Sequence, residues 1–286
     1  MVSSARGDII AMREISLLAD YMYELMAVDA ARNQLLFLAT VPDYKSNNQV
    51  SHVVNVAIIS AAIAYKIGVS PLIARDLIVS AYLHDIGIPA GGFEDIESEL
   101  ISHNIKGFEI LSRMTKFEME RIYASVAAVS HHSKSVDGIT TGSSFSIQTS
   151  FFEDLIQIAD FYDLATRFWP RKGRAYFSRP NALRKIFEYA GQGVFSAETA
   201  EALASAVGII PSGSIYKFCG KDEIAVVANP VFSKEKNVAV FVVDSEFIFK
   251  EKKEITLAEL DELKDQFVYK LPPALLSTIL NTFFDQ

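Results

Sequence analysis

The spacing of apolar residues changes character once along this 286-residue chain, near Gly208, and that switch sets the fold class. Before it, apolar residues recur at helical intervals, beginning with Ile15, Leu18, Tyr21, Met22, Leu25 and Met26 between about 9 and 38. Ser46-Asn47-Asn48 offers capping chemistry for a helix from about 49 to 67. Gly68 stands where that helix should stop, and Ser70-Pro71 opens the next, which runs to about His84-Asp85. Gly87, Pro89, Gly91 and Gly92 break the chain there, and further helices are predicted at about 96–113, 117–132, 151–168, 179–190 and 197–206. After Gly208 the stretches 214–218, 224–227 and 238–243 read as short strands. A charged segment at 246–265 and a helix led by Pro272-Pro273 follow. The expected fold is mainly α: an N-terminal helical segment at 1–48, a helical domain at 49–207 and a small β-containing C-terminal extension at 208–286.

Half of the residues are apolar, which supports a sizeable core without covalent staples. The single cysteine, Cys219, rules out an internal disulfide framework and a cysteine-rich zinc site, and fits a reducing compartment. A net charge of −8 with no stripe of Lys and Arg argues against duplex nucleic acid as a partner. The first eight residues lack the basic start and apolar run of a secretion signal. The longest mostly apolar stretch, 53–65, is about two helix turns short of crossing a bilayer. A cytoplasmic protein without membrane insertion is expected, with its N-terminal helices serving for packing or for a homodimer contact.

The chemistry is carried by five histidines, His52, His84, His103, His131 and His132, each at or near the end of a predicted helix. Asp85 and Asp160 join them. Imidazoles and carboxylates without a thiolate suit a borderline metal such as Fe or Mn better than Mg or Ca. Neighbours in a helix point about 100° apart, so His84 and Asp85 share an ion only from a helix end. There Asp85 can bridge two ions while His84 binds one. Seven ligands are too many for one ion and fit two, with water completing the shells. Two divalent ions against two carboxylates leave a charge of about +2, which attracts a phosphodiester and activates water for attack on it.

The string Ser51-His52-Val53-Val54-Asn55-Val56, followed by Leu83-His84-Asp85-Ile86-Gly87, resembles the start of an HD superfamily domain. Later blocks resemble its HD-GYP branch, the cyclic di-GMP phosphodiesterases. These are Ser102-His103-Asn104-Ile105-Lys106-Gly107, His131-His132 with Asp137-Gly138, and Gln157-Ile158-Ala159-Asp160-Phe161-Tyr162-Asp163. Arg174-Ala175-Tyr176 is similar to the family's Arg-Pro-Tyr element, and 207–214 to its Gly-x-Tyr-Pro-x-Gly segment. The resemblance implies an HD-domain helical bundle with His52, His84, Asp85, His103, His131, His132 and Asp160 as metal ligands. It also implies a catalytic centre at His84 and Asp85, with Asp85 as the bridge. Asn48 stands where some members carry an extra Glu ligand, which favours two metals over three.

The chain departs from the family pattern in four ways, one being an extra residue between His132 and Asp137. No Gly-Tyr-Pro follows Asp137-Gly138, Ser133 replaces a Glu, and Ile88 replaces a Lys that contacts phosphate. The chain therefore resembles the branch's unconventional, tyrosine-lacking members. Arg167, Arg171, Lys172 and Arg174 cluster after the Asp160 helix, and Arg174, Arg171 and Lys134 are the candidate phosphate contacts. Asp163 either orients a ligand histidine or lies on a helix surface. Trp169 and Phe168 either stack on a base or pack, and Asp137 either shapes the loop or forms a plain turn. The expected activity is hydrolysis of cyclic di-GMP. The alternatives are a metal- and nucleotide-binding sensor or interaction module, and a phosphohydrolase for another nucleotide.

Overall fold

The computed structural model describes residues 12–39, 48–88, 103–113, 119–131, 151–167, 177–233, 237–262, 275, 277–279 and 281. Its helices are α1 (Met12–Met26), α2 (Asp29–Leu38), α3 (Asn48–Ile67), α4 (Pro71–Leu83), α5 (His103–Ser112), α6 (Met119–Ser130), α7 (Phe151–Thr166), α8 (Arg179–Gly191) and α9 (Ala197–Val207). Five strands follow: β1 (Ile215–Phe218), β2 (Glu223–Val227), β3 (Val238–Asp244), β4 (Phe249–Ile255) and β5 (Leu260–Glu262). The protein is mainly helical with a C-terminal antiparallel sheet, in the order β4-β3-β2-β1-β5.

Helix α3 is the axis of the helical part. Val56, Ala57, Ile58, Ile59, Ala61, Ala62, Ile63 and Ala64 are all buried, so nearly its whole circumference meets protein. Gln49–Ile67 is long and apolar enough to cross a membrane by length and composition, although 56% of that window is buried inside the protein. The helix thus extends beyond the 53–65 stretch on which a shorter reach was expected. Its neighbours include α1, α4, α7 and α9. Ser70 caps α4 by accepting from the Ile73 amide at 3.4 Å, and Pro71 occupies the first turn, as the sequence pattern predicts.

The N-terminal helices share this core. The buried seam of α1 is Met12, Ile15, Ala19, Met22 and Met26, spaced alternately by three and four residues. Leu18 and Tyr21, counted in the apolar pattern, are exposed instead. Ala19 takes the inward position because α1 lies close against α4, where Arg75 holds Asp20 through two hydrogen bonds of 2.7 and 2.6 Å. Tyr23 donates to the Val69 carbonyl between α3 and α4 at 2.8 Å. Buried Arg32 of α2 donates to the Met26 carbonyl at the end of α1 and pairs with Asp29.

The sheet packs on both faces, which is why β2 and β3 read as unbroken apolar runs. Val240 and Val242 join Tyr216, Phe218, Ala225 and Ile255 on one side. Phe241 and Val243 point the other way, to Phe37 of α2, Leu275 and Ile279. The Phe37 and Phe241 rings meet edge to face, 5.9 Å between centroids. Phe241→Ala is expected to cost about 3–5 kcal/mol in chemical denaturation, because it empties the seam between sheet and helices.

Strands β4 and β5 fall in the segment read only as charged. Among the described strands β4 (FKEKKEI) pairs only with β3, at the edge of the sheet. Charge on an edge strand blocks further pairing, so the alternation that marks an inner strand is missing there. Between α9 and β1, Gly208 has φ +86°, and a Cβ there would stand 2.9 Å from the Val231 carbonyl oxygen. The Ile209 amide donates to that same oxygen at 2.7 Å.

Candidate metal centre

Five helices converge on one buried point. His52 lies early in α3, His103 opens α5, His131 directly follows α6, and Asp160 faces in from α7. His84 caps the end of α4 with helical φ and ψ of −56° and −35°. Asp85 follows in a tight turn, in which Ile86 donates to the Leu83 carbonyl and Ile88 to that of Asp85. This turn lets consecutive side chains reach the same point, as the helix-end argument requires.

Asp85 faces two ways. Its Oδ2 lies 3.5 Å from His52 Nε2 and 3.6 Å from His84 Nε2. Its Oδ1 lies 3.3 Å from His103 Nε2 and 3.2 Å from His131 Nε2. Asp160 Oδ1 joins the first group, 3.0 Å from His52 Nε2 and 3.8 Å from His84 Nε2. His52, His84 and Asp85 form one buried set that could hold a metal ion, and Asp85, His103 and His131 another.

The backs of the rings are held too. His84 Nδ1 donates to the Ala81 carbonyl at 2.7 Å, and His131 Nδ1 to those of Ala127 and Ala128 at 3.1 and 3.0 Å. His52 Nδ1 donates to Asp163 Oδ2 at 2.7 Å. With Nδ1 as donor, a neutral ring aims its Nε2 lone pair at the centre, the usual state of a metal-ligating histidine. Of the two uses considered for Asp163, orienting a histidine is the one its position serves.

The buried carboxylates Asp160 and Asp163 draw positive charge to this point, which raises the proton affinity of His52. Burial pushes the His52 imidazole down, but hydrogen bonds to Asp160 and Asp163 outweigh it and hold its pKa up at about 10. Burial depresses His84 to about 4, with Asp85 only partly opposing. Burial would raise the Asp85 carboxyl, yet the charge of His84 and the imidazoles of His103 and His131 bring it well below the usual carboxylate range. Asp85 is thus a carboxylate, while among the described residues no hydrogen bond reaches its buried Oδ1 despite the two nearby rings. His52 Nε2 and His84 Nε2 also face each other at 3.3 Å, where at most one can carry the facing proton. An oxygen without a donor beside opposed imidazole nitrogens is what a divalent ion would satisfy.

Close approach makes the site possible. A Cβ on Gly87 would overlap the His103 carbonyl oxygen and the Gly107 backbone nitrogen, so the His84-Asp85 turn sits directly on α5. Gln157 of α7 donates to the Ser130 carbonyl at 2.9 Å, bracing the end of α6 beside His131. Asn55, which sequence reading passed over, donates to Asp163 Oδ1 at 2.8 Å. Its three-residue offset from His52 was the only signal in the sequence.

Arg167, counted with the basic cluster, lies beside the centre instead, its Nη1 3.8 Å from Asp163 Oδ2. Ile88, at the Lys position, is half-buried. His132, Ser133, Lys134, Asp137, Phe168, Trp169, Arg171, Lys172 and Arg174 lie outside the described residues.

Residues 50–163 match the family described as HD domain, a span that contains every residue of this centre. The match supports the HD superfamily and points to metal-dependent phosphohydrolase chemistry, for which a nucleotide is the fitting substrate class. Comparison with curated proteins finds no match.

Proposed function

With an HD domain over residues 50–163 as premise, we propose that this protein is a two-metal phosphodiesterase acting on cyclic di-GMP. The observation that carries the metal reading is the two-sided placement of Asp85. One oxygen faces the His52–His84 pair and the other the His103–His131 pair. His52, His84, Asp160 and Asp85 Oδ2 would hold one ion. His103, His131 and Asp85 Oδ1 would hold the other, with His132 as the further ligand from the sequence. The donor set favours Fe or Mn. Bound ions supply positive charge for the phosphodiester and lower the pKa of water. The protein's own part is to keep Asp85 ionised, to fix three imidazoles through their Nδ1 atoms and to shield the centre from bulk water. Arg174, Arg171 and Lys134 are the proposed phosphate contacts. The cyclic di-GMP assignment rests on the resemblance of the histidine blocks to the HD-GYP branch.

A second reading has its own support in Ile88 and the missing Gly-Tyr-Pro. Without the Lys that meets phosphate, the protein would keep metal and nucleotide but act as a sensor. One experiment separates the two. Protein loaded with Fe or Mn should hydrolyse cyclic di-GMP, and the His84→Ala, Asp85→Ala double variant should not. Nucleotide binding to the metal-loaded protein without turnover would sink the enzyme reading and leave the sensor. Fewer than about one ion per chain after anaerobic reconstitution would count against the ligand set itself.

A further inference from the structure

Behind His52, on the side away from the ion positions, a second set of groups meets. Asp163 is one turn beyond Asp160 on α7 and nearly fully buried. Its Oδ2 takes the His52 Nδ1 hydrogen at 2.7 Å, and its Oδ1 takes the Asn55 Nδ2 hydrogen at 2.8 Å. An ionised carboxylate only accepts, so the nitrogen end of the Asn55 amide must face it. Arg167 adds positive charge at 3.8 Å. Burial alone would raise the Asp163 carboxyl, but Arg167, His52 and Asn55 bring it below its ordinary value.

The two oxygens have separate duties. With Oδ1 anchored to α3 by Asn55, the carboxylate plane cannot turn, and Oδ2 stays on His52. His84 and His131 need no such help, because they lean on the backbone carbonyls of their own helices. His52 is therefore a ligand whose aim depends on a side chain that is itself held by a side chain.

We propose that Asn55 is a positioning residue for the ion on the His52–His84 side, acting through Asp163 on the His52 ring. The assignment rests on the two-ion reading above. Its test is Mn(II) titration of the full chain by calorimetry, with electron paramagnetic resonance as the second readout. Wild type should bind two ions and give a coupled Mn–Mn signal. Asn55→Leu, similar in size but without the donor, should weaken one ion by about 10–100-fold and leave the other within about twofold. The spectrum at intermediate Mn(II) should become that of an isolated ion. Asn55→Ala should repeat the selective loss and serves if the leucine variant does not fold.

Equal weakening of both ions, together with a lower melting temperature without metal, would mean a general packing role and overturn the assignment. Wild-type uptake of two ions with both variants unchanged would overturn it alone. A wild type that takes up no Mn(II) would overturn the metal reading and this assignment with it.

Discussion

Asp85→Asn is expected to remove both ions from the protein, not one. The substitution keeps the shape of the side chain and replaces a charged oxygen by an amide NH2. Each half of the centre draws one oxygen from this carboxylate. The amide offers one oxygen and a donor, so at least one half loses its anionic ligand. Net charge then costs the other half as well: two divalent ions would face Asp160 as the one remaining carboxylate of the proposed set. His103→Ala touches one half and should leave roughly one ion per chain. Metal analysis after dialysis distinguishes these results, and a melting curve gives a second measure. Metal at 100 times its Kd stabilises the native state by about 2.7 kcal/mol per site. That shift should be present in wild type, reduced in His103→Ala and absent in Asp85→Asn. An Asp85→Asn protein that retains both ions would remove the carboxylate from its bridging role.

Gly87→Ala should be the most damaging single-methyl change in the described structure. The added carbon would overlap the His103 carbonyl oxygen and crowd the Gly107 nitrogen, both backbone atoms that no rotamer change can move. The turn must lift from α5, which separates Asp85 from His103 and unpacks the close contact of Gly107 with Ala128. Overpacking against side chains costs about 1–3 kcal/mol, and backbone overlap belongs at or above the top of that range. A cost of about 3 kcal/mol lowers the melting temperature by roughly 6–12 °C. Metal affinity should fall with it, on the His103–His131 side first. Gly191→Ala is the control, since a Cβ there meets no atom within 4 Å. Equal melting temperatures for the two variants would refute the close-approach argument.

The candidate metal centre was legible because its chemistry is written in rare residues. The described histidines stand at or near helix ends, and Gly87 marks the break beside His84-Asp85. Helix starts and stops were legible for the same local reason: Ser70-Pro71 and Gly68 act on atoms within a turn of themselves. Other features depend on distant neighbours. In α1 the periodicity marked two adjacent rows as apolar, and only the position of α4 decided that Ala19 faces in and Leu18 out. β4 was hidden because an edge strand carries charge where an inner strand carries valine.

Composition and local pattern by themselves pointed to a chain helical to about Gly208 with strands beyond, and to His52, His84, Asp85, His103, His131, His132 and Asp160 as its chemically distinctive residues. Those properties live in side-chain identity and in spacings of a turn or two. The expectation that Asp85 could bridge and that Asp163 could orient a histidine came from the sequence. The tertiary structure alone decided which imidazoles each Asp85 oxygen faces, that Asp163 stands behind His52, and that Asn55 holds Asp163 across 108 residues of chain. Helix periodicity names the face a residue occupies on its own helix, but only the packing of α3 against α7 says which two faces meet.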